Sequence, residues 1–489
     1  MLAFAFTSLA DRPNVVMFVV DDLNDWVTPL GDTQAITPNL DRLAKRGVTF
    51  TNAHTPGVYC APARTAIWTG LHASTTGCYS NQVYHYDKPT IEPLQLAFKK
   101  SGYKTYGGGK LYHHGGGYLD RRGWDEFFLH NESHKQEGWK VFTWDDPNLF
   151  PQPHPSSPYN QDGRKLTGGL FQEWGSVPNG KAEQMADSKR TNWAVDKIKR
   201  QGEEPFFLAV GLYAPHYPHY APEKYFALYD RDQIKLPPLK ADDAADLPEH
   251  IQKRMRGRDK IRQRLVELGV YEDAMVGYLA CVSYADAMLG RVLDALDQSD
   301  HADNTIVVLW SDHGYHLGEK GQWGKHTLWQ RTSGVPMIVA GGEVAKNRKV
   351  DATVSLIDLY PTFVEMCGLE KPDRLDGTSI ASTLRDPGSA KDRSVLLPYM
   401  DGKSFAVINR DWRYIRYHNG AEELYDLKND PNEWHNLANK TEHSALKKQL
   451  AAQAPDTFAP LATEVKTLRL VTEGTDFRWE TKPVKKSKP

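Results

Sequence analysis

The chain has 489 residues, of which 40% are hydrophobic and 25% charged, and its formal net charge is −2 at pH 7. That length predicts more than one core, a large domain with a smaller one, and the composition is that of an ordinary globular protein. The near-neutral balance leaves no global electrostatic case for binding nucleic acid or an anionic membrane. The four cysteines, Cys60, Cys78, Cys281 and Cys367, contain no C-x-x-C pair. Neither a zinc ribbon nor a dithiol redox motif is therefore indicated, and this is not a disulfide-built scaffold.

Residues 1–10, MLAFAFTSLA, are apolar and end in small residues but lack a basic start, so a signal-peptide remnant and a frayed terminus are both open readings. No run reaches the ~18 apolar residues of a membrane span. Asn14 to Val20 is an unbroken apolar, β-branched run, the pattern of a strand buried on both faces of a parallel sheet. Asp21 and Asp22 follow at once; two adjacent carboxylates there repel unless a cation lies between them, and a turn or helix cap is the alternative. Thr37-Pro38 predicts a helix start with Thr37 as N-cap.

The stretch Val58–Gly70 carries Cys60-Ala61-Pro62-Ala63-Arg64 just before residues that can open a helix. A buried thiol at a turn is the plain reading of the pentapeptide alone. A helix over Glu92–Ser101 precedes Gly107-Gly108-Gly109-Lys110-Leu111-Tyr112-His113. That segment reads as a glycine-rich loop allowing close backbone approach, with Lys110 as a compact charge and His113 as a titratable nitrogen. Residues 145–180, rich in Pro, Gly, Asn and Ser, read as a long surface excursion that can wall a pocket.

Pro205 to Gly211 is a second buried strand, followed by the proline- and aromatic-rich loop containing His216 and His219. Residues 240–266 are densely charged; acidic residues interspersed around Lys253–Arg258 make this a solvated helical face rather than a nucleic-acid patch. Tyr271–Leu296 reads as one long amphipathic helix holding Cys281. Thr305–Trp310 is a third buried strand ending in Ser311-Asp312-His313-Gly314, then a loop through Lys325-His326 and a strand over Val335–Ala340. Three buried strands thus end in ionisable residues, and ligands of open α/β sheets bind at that edge. A helix or two follows Val354; beyond about residue 395 short strands over Ser404–Asn409, Tyr414–His418 and Glu423–Asp426 predict a small antiparallel sheet with a helix. The lysine-rich tail from Lys482 reads as disordered.

The Cys60-x-Pro62-x-Arg64 motif, with Asp21-Asp22, Lys110 and His113, Asp312-His313 and the Glu423–Leu437 segment, resembles the formylglycine-dependent (type I) sulfatases, and within them the iduronate-2-sulfatase-like group. The resemblance spans nearly the whole chain; Ala63 stands where that family often has serine, and two residues rather than one separate Lys110 from His113. It implies an α/β fold of alkaline-phosphatase type, with a mostly parallel central sheet flanked by helices and a smaller C-terminal α+β subdomain. The expected division is 11–394 catalytic and 395–481 C-terminal, with 1–10 a signal remnant and 482–489 a disordered tail.

The same resemblance implies the site. Cys60 becomes formylglycine, whose hydrate attacks sulfur, and a maturation enzyme must make it. Asp21, Asp22, Asp312 and His313 hold one Ca²⁺ per chain, His313 being the awkward ligand for so hard a cation. Arg64 positions the nucleophile or the carboxylates, Lys110 and Lys325 grip sulfate oxygens, His216 protonates the leaving oxygen, and His113 takes a proton when the enzyme is regenerated. His219 and His326 are further substrate contacts, with simple packing the other reading of His219. The expected activity is hydrolysis of a sulfate monoester on a sulfated carbohydrate, in a periplasmic or secreted enzyme. A phosphatase or phosphonate monoester hydrolase on the same scaffold, and a non-catalytic carbohydrate-binding relative, are the alternatives.

Overall fold

The structure is a computed structural model that describes residues 12–113, 118–128, 173–473 and 476–482. The expectations for residues 1–10, for 145–172 of the long excursion, and for the tail beyond Lys482 lie outside the described residues. The described end of that excursion is a strand, Trp174–Val177, paired with His219–Pro222.

Eight strands form the central sheet: β1 (Asn14–Val20), β2 (Gly47–Phe50), β3 (Lys104–Gly109), β4 (Glu126–Phe128), β5 (Phe206–Gly211), β6 (Thr305–Ser311), β7 (Met337–Ala340) and β8 (Arg348–Val350). Their order across the sheet is β8-β2-β7-β6-β1-β5-β3-β4. Every pairing is parallel except the two made by β7. The period-2 alternation splits β1 between two cores. Val15, Met17 and Val19 meet Ile67 and Trp68 of helix Cys60–Thr69 and Phe363 of helix Leu359–Cys367. Val16, Phe18 and Val20 share the other core with Leu279, Val282 and Leu289 of helix Tyr271–Asp297. That helix is 27 residues long and apolar enough to cross a membrane, but 89% of its apolar window is buried within the protein, which makes it a core helix. All four cysteines are buried and free.

Two local expectations change. The glycines before Lys110 end strand β3 instead of forming a loop, because aromatic rings take the space their side chains would need. A Cβ on Gly107 would lie 2.6 Å from Phe127, and one on Gly108 2.7 Å from Trp193. Thr37 does not cap its helix; its hydroxyl pairs with Thr28 at 2.7 Å. Asp286, from the long helix, caps it instead, accepting from the backbone N–H of Asn39 (3.1 Å) and Leu40 (2.8 Å). Pro38 does occupy the first turn as expected.

Near the C-terminus, Val395–Pro398, Phe405–Ile408, Trp412–Arg416 and Glu422–Asp426 form a four-stranded antiparallel meander. One face is covered by Leu450 of helix Ser444–Ala451. The other packs on Val58, Leu328, Trp329 and on Ile251 and Met255 of helix Glu249–Arg258. The strand Val395–Pro398 and a hairpin of Leu468–Glu473 with Asp476–Thr481 add to the expected elements.

Candidate active site

Four adjacent strands end at one place. Asp21 and Asp22 follow β1, Lys110 follows β3, His216 lies beyond β5, and Asp312 and His313 follow β6. Cys60 faces this edge from the first turn of helix Cys60–Thr69 and is fully buried. Its Sγ lies 3.2 Å from Lys325 Nζ, 3.3 Å from His313 Nε2 and 3.7 Å from Lys110 Nζ, and donates to Asp21 Oδ1 at 3.5 Å. One helical turn on, Arg64 Nε donates to Asp312 Oδ2 at 2.9 Å and Nη2 to Asp21 Oδ1 at 3.3 Å, while Nη1 reaches the Lys110 carbonyl. Lys110 Nζ also pairs with Asp21, above the Tyr213 ring at 4.2 Å from its centroid. Lys325 Nζ pairs with Asp22 Oδ1 at 2.6 Å.

The electrostatics record crowding of like charges. Burial, opposed by Lys325 and reinforced by Asp21, pushes Asp22 up to about 7. Against its own burial, Asp21 is held well below the usual carboxylate range, chiefly by Lys110. Burial and Asp21 push the Cys60 thiol up, yet Lys110 and Lys325 leave it below the ordinary value. Burial opposes a charged His313, but Asp312 raises it to about 9. His313 Nδ1 lies 3.0 Å from the Gly314 carbonyl, so Nδ1 is the donor and Nε2 turns to the carboxylates, 3.4 Å from Asp22 and 3.5 Å from Asp312.

This donor set fits a divalent cation. Asp22 Oδ2 is buried and has no hydrogen-bond partner among the described residues. Asp21, Asp312, His313 and the Cys60 sulfur offer atoms within 4.8 Å of one another, and Asp21, Asp22, His216 and that sulfur do the same. Three carboxylates and an orphaned oxygen are what a hard cation relieves. Asp22 is also held in the left-handed region, at φ 60°, where a non-glycine residue is rare.

The remaining histidines divide. His216 Nδ1 is 2.5 Å from the Tyr217 carbonyl, and Nε2 is 3.8 Å from Asp22 Oδ2. His113 meets Tyr59 and Tyr118 edge-on; burial, then Lys110 and Lys325, hold it well below the ordinary imidazole range. His326 lies over Tyr59, with ring centroids 5.0 Å apart. His219 is packed edge-on against Tyr278 and Tyr315, and burial pushes it down to about 3. Packing, the second of the two readings open for His219, is thus its observed environment.

Several supports have no local sequence signal. The Tyr278 hydroxyl donates to the Asp22 carbonyl at 2.8 Å and accepts from Asn24 N–H at 2.9 Å. Ser311 Oγ accepts from Leu23 N–H and donates to the His313 carbonyl. Asp187 takes the backbone N–H groups of Tyr213 and Ala214, fixing the start of the His216 loop.

The family model described as Sulfatase matches residues 13–369, and that described as N-sulphoglucosamine sulphohydrolase, C-terminal, matches residues 318–457. The chain is 38% identical to a protein named Sulfatase from Formosa agariphila, over 94% of this chain and 91% of that one. It is 28% identical to the iduronate 2-sulfatase of Mus musculus, over 75% of this chain and 71% of the mouse protein. The solved structure of a phosphonate monoester hydrolase from Silicibacter pomeroyi superposes with a TM-score of 0.72 at 20% identity, over 90% of this chain and 94% of that one. That last likeness is one of fold alone.

Proposed function

The chain belongs to the sulfatase family and is a sulfuric ester hydrolase, and from that premise we propose an iduronate-2-sulfatase-like enzyme that acts on sulfated carbohydrate and uses a formylglycine made from Cys60 and a Ca²⁺ held by Asp21, Asp22, Asp312 and His313. The observation that carries this reading is the convergence of Lys110, Lys325 and Arg64 with three buried carboxylates on one buried cysteine. Cys60 has no exposed surface, so its oxidation by a formylglycine-generating enzyme must precede packing of its helix. The apolar stretch at residues 1–10 supports export to the periplasm or beyond.

When bound, the cation supplies Lewis-acid charge and the formylglycine hydrate supplies the attacking oxygen. The chain's own residues do the rest. Lys325 and Lys110, both held charged, neutralise the oxygens of the sulfate as charge grows on them. Arg64 bridges Asp21 and Asp312 and so fixes the spacing of the two carboxylates. His216, its Nδ1 committed to a carbonyl, turns Nε2 to the site, where it gives the leaving alcohol its proton. His113, kept neutral by burial and two lysines, accepts a proton when the aldehyde is restored.

Release of inorganic sulfate from a panel of sulfated mono- and oligosaccharides, with matching phosphate and phosphonate esters as controls, tests the reading. Calcium-dependent sulfate release, greatest on a 2-sulfated uronic acid, is expected. Turnover confined to the phosphorus esters would replace it with the phosphonate monoester hydrolase alternative.

A further inference from the structure

We propose that Arg254 and Arg258 form a subsite for a second anionic group of the substrate, a carboxylate or a further sulfate borne near the scissile ester; this rests on the sulfatase reading above. Both lie on helix Glu249–Arg258, four residues apart and so on one face. Ile251 and Met255 anchor that helix to the C-terminal sheet. Arg254 donates to the His326 carbonyl and to the Tyr399 hydroxyl, which itself donates to the same carbonyl at 3.1 Å. His326 follows Lys325, its N–H bonds the Val58 carbonyl at 3.0 Å, and its ring lies on Tyr59, beside Cys60. Arg254 is therefore tied to the backbone beside the lysine that touches the Cys60 sulfur, and Arg258 stands one helical turn further on the same face.

Arg258 is half-buried and makes no hydrogen bond or ion pair among the described residues. Its charge is felt at His326, which burial, Lys325, Arg258 and Arg254 together hold well below the ordinary imidazole range. The imidazole is thus neutral; of these three cations Lys325 pairs with Asp22, whereas Arg254 and Arg258 make no ion pair among the described residues. Four other shielded guanidiniums are matched by acids: Arg64 by Asp21 and Asp312, Arg190 by Asp187, Arg413 by Glu433, Arg393 by Asp358. Two guanidiniums gathered on one helix face with no counter-ion repel each other. A planar fork of N–H donors is the group that binds carboxylate or sulfate in bidentate fashion, and an anion entering beside Arg258 removes that repulsion. A substrate carrying only the scissile sulfate leaves it in place.

The test uses the full, matured chain and its Arg258→Ala and Arg258→Lys variants. Four probes are compared: 4-nitrophenyl sulfate, a disaccharide with one ester sulfate and one uronate carboxylate, its carboxyl-reduced counterpart, and glucosamine 2-N,6-O-disulfate. The readout is kcat/KM on each sugar relative to that on 4-nitrophenyl sulfate. Arg258→Ala should lower this ratio at least tenfold for a doubly anionic sugar, mainly through KM, with partial recovery in Arg258→Lys. A fall that vanishes on the carboxyl-reduced disaccharide assigns the carboxylate; a fall on the disulfated sugar alone assigns sulfate. A ratio within twofold of the parent's on both doubly anionic sugars overturns the subsite. If the parent cleaves none of the sulfate esters, the sulfatase reading fails by itself. Calorimetric binding of the same probes then decides the subsite: affinity lost in Arg258→Ala upholds it, and affinity equal to the parent's overturns it.

Discussion

Two buried ionic clusters in this protein look alike in composition and differ in what they can do. Around Cys60, three carboxylates converge on one another and on a thiol, one carboxylate oxygen has no partner among the described residues, and Asp22 is pushed up to about 7 by burial. Under the C-terminal sheet, Arg413, Glu433, Glu423, Lys320 and Asp243 are just as hidden, yet each faces a complement. Arg413 pairs with Glu433 at 2.5 Å and donates to the Leu328 carbonyl at 2.7 Å. Glu423 accepts from Trp329, Tyr417 and Tyr425 at 2.7–2.8 Å, and Lys320 reaches Asp243 at 2.8 Å. Buried charge therefore does not mark a site; like charges left facing one another do.

The contrast is sharpest in what single substitutions remove. Arg413→Ala leaves Glu433 buried without its cation and should cost about 3–5 kcal/mol of stability. Urea unfolding checks this, with kcat/KM of the folded fraction close to the parent's; a large loss of kcat/KM there would erase the distinction between the clusters. Lys325→Ala should do the reverse. It removes a charge 3.2 Å from the Cys60 sulfur, which the proposed mechanism sets against the sulfate, and should lower kcat/KM by about 10²–10³, or ~3–4 kcal/mol, while the urea midpoint moves less than in Arg413→Ala.

A smaller effect separates His219 from His216, its neighbour three residues earlier. Burial holds His219 down to about 3, whereas an unfolded histidine titrates near 6.5. Between those values the unfolded chain binds a proton that the folded chain does not, so stability rises with pH across the window and is lost as pH falls below about 6.5. This one group contributes about 1.4 kcal/mol per pH unit there. His219→Phe should flatten the pH dependence of the urea unfolding free energy between pH 4.5 and 6.5 by that amount; an unchanged slope would show that the ring is hydrated and titrates normally.

The parts legible in the sequence are those fixed by local pattern. β1, β5 and β6 announce themselves as unbroken apolar runs because both of their faces are buried, and the acids at their ends mark one edge of the sheet. β3 escaped because Gly107–Gly109 carry no side chains to show a period; their reason is the aromatic rings Phe127 and Trp193, distant in sequence or on another element. The same holds for the Asp286 cap and the Tyr278 hydroxyl under Asp22, both supplied from the long helix hundreds of residues away. Arg254 and Arg258 stand within a run of charge that reads as a solvated face, although Asp243 of the same run is buried against Lys320. The signal was present in the spacing: Ile251 and Met255 form a buried stripe, and each has an arginine three residues on, at the stripe's margin.

The assignment of Cys60 as the centre of sulfate cleavage meets its most direct check in preparations matured to different degrees. In each, peptide mass spectrometry gives the fraction of Cys60 carried as the aldehyde, and sulfate release gives the rate per chain. A rate proportional to the aldehyde fraction, with a line through the origin, is expected. A rate that does not depend on that fraction would place the chemistry elsewhere and leave the buried cysteine a packed thiol.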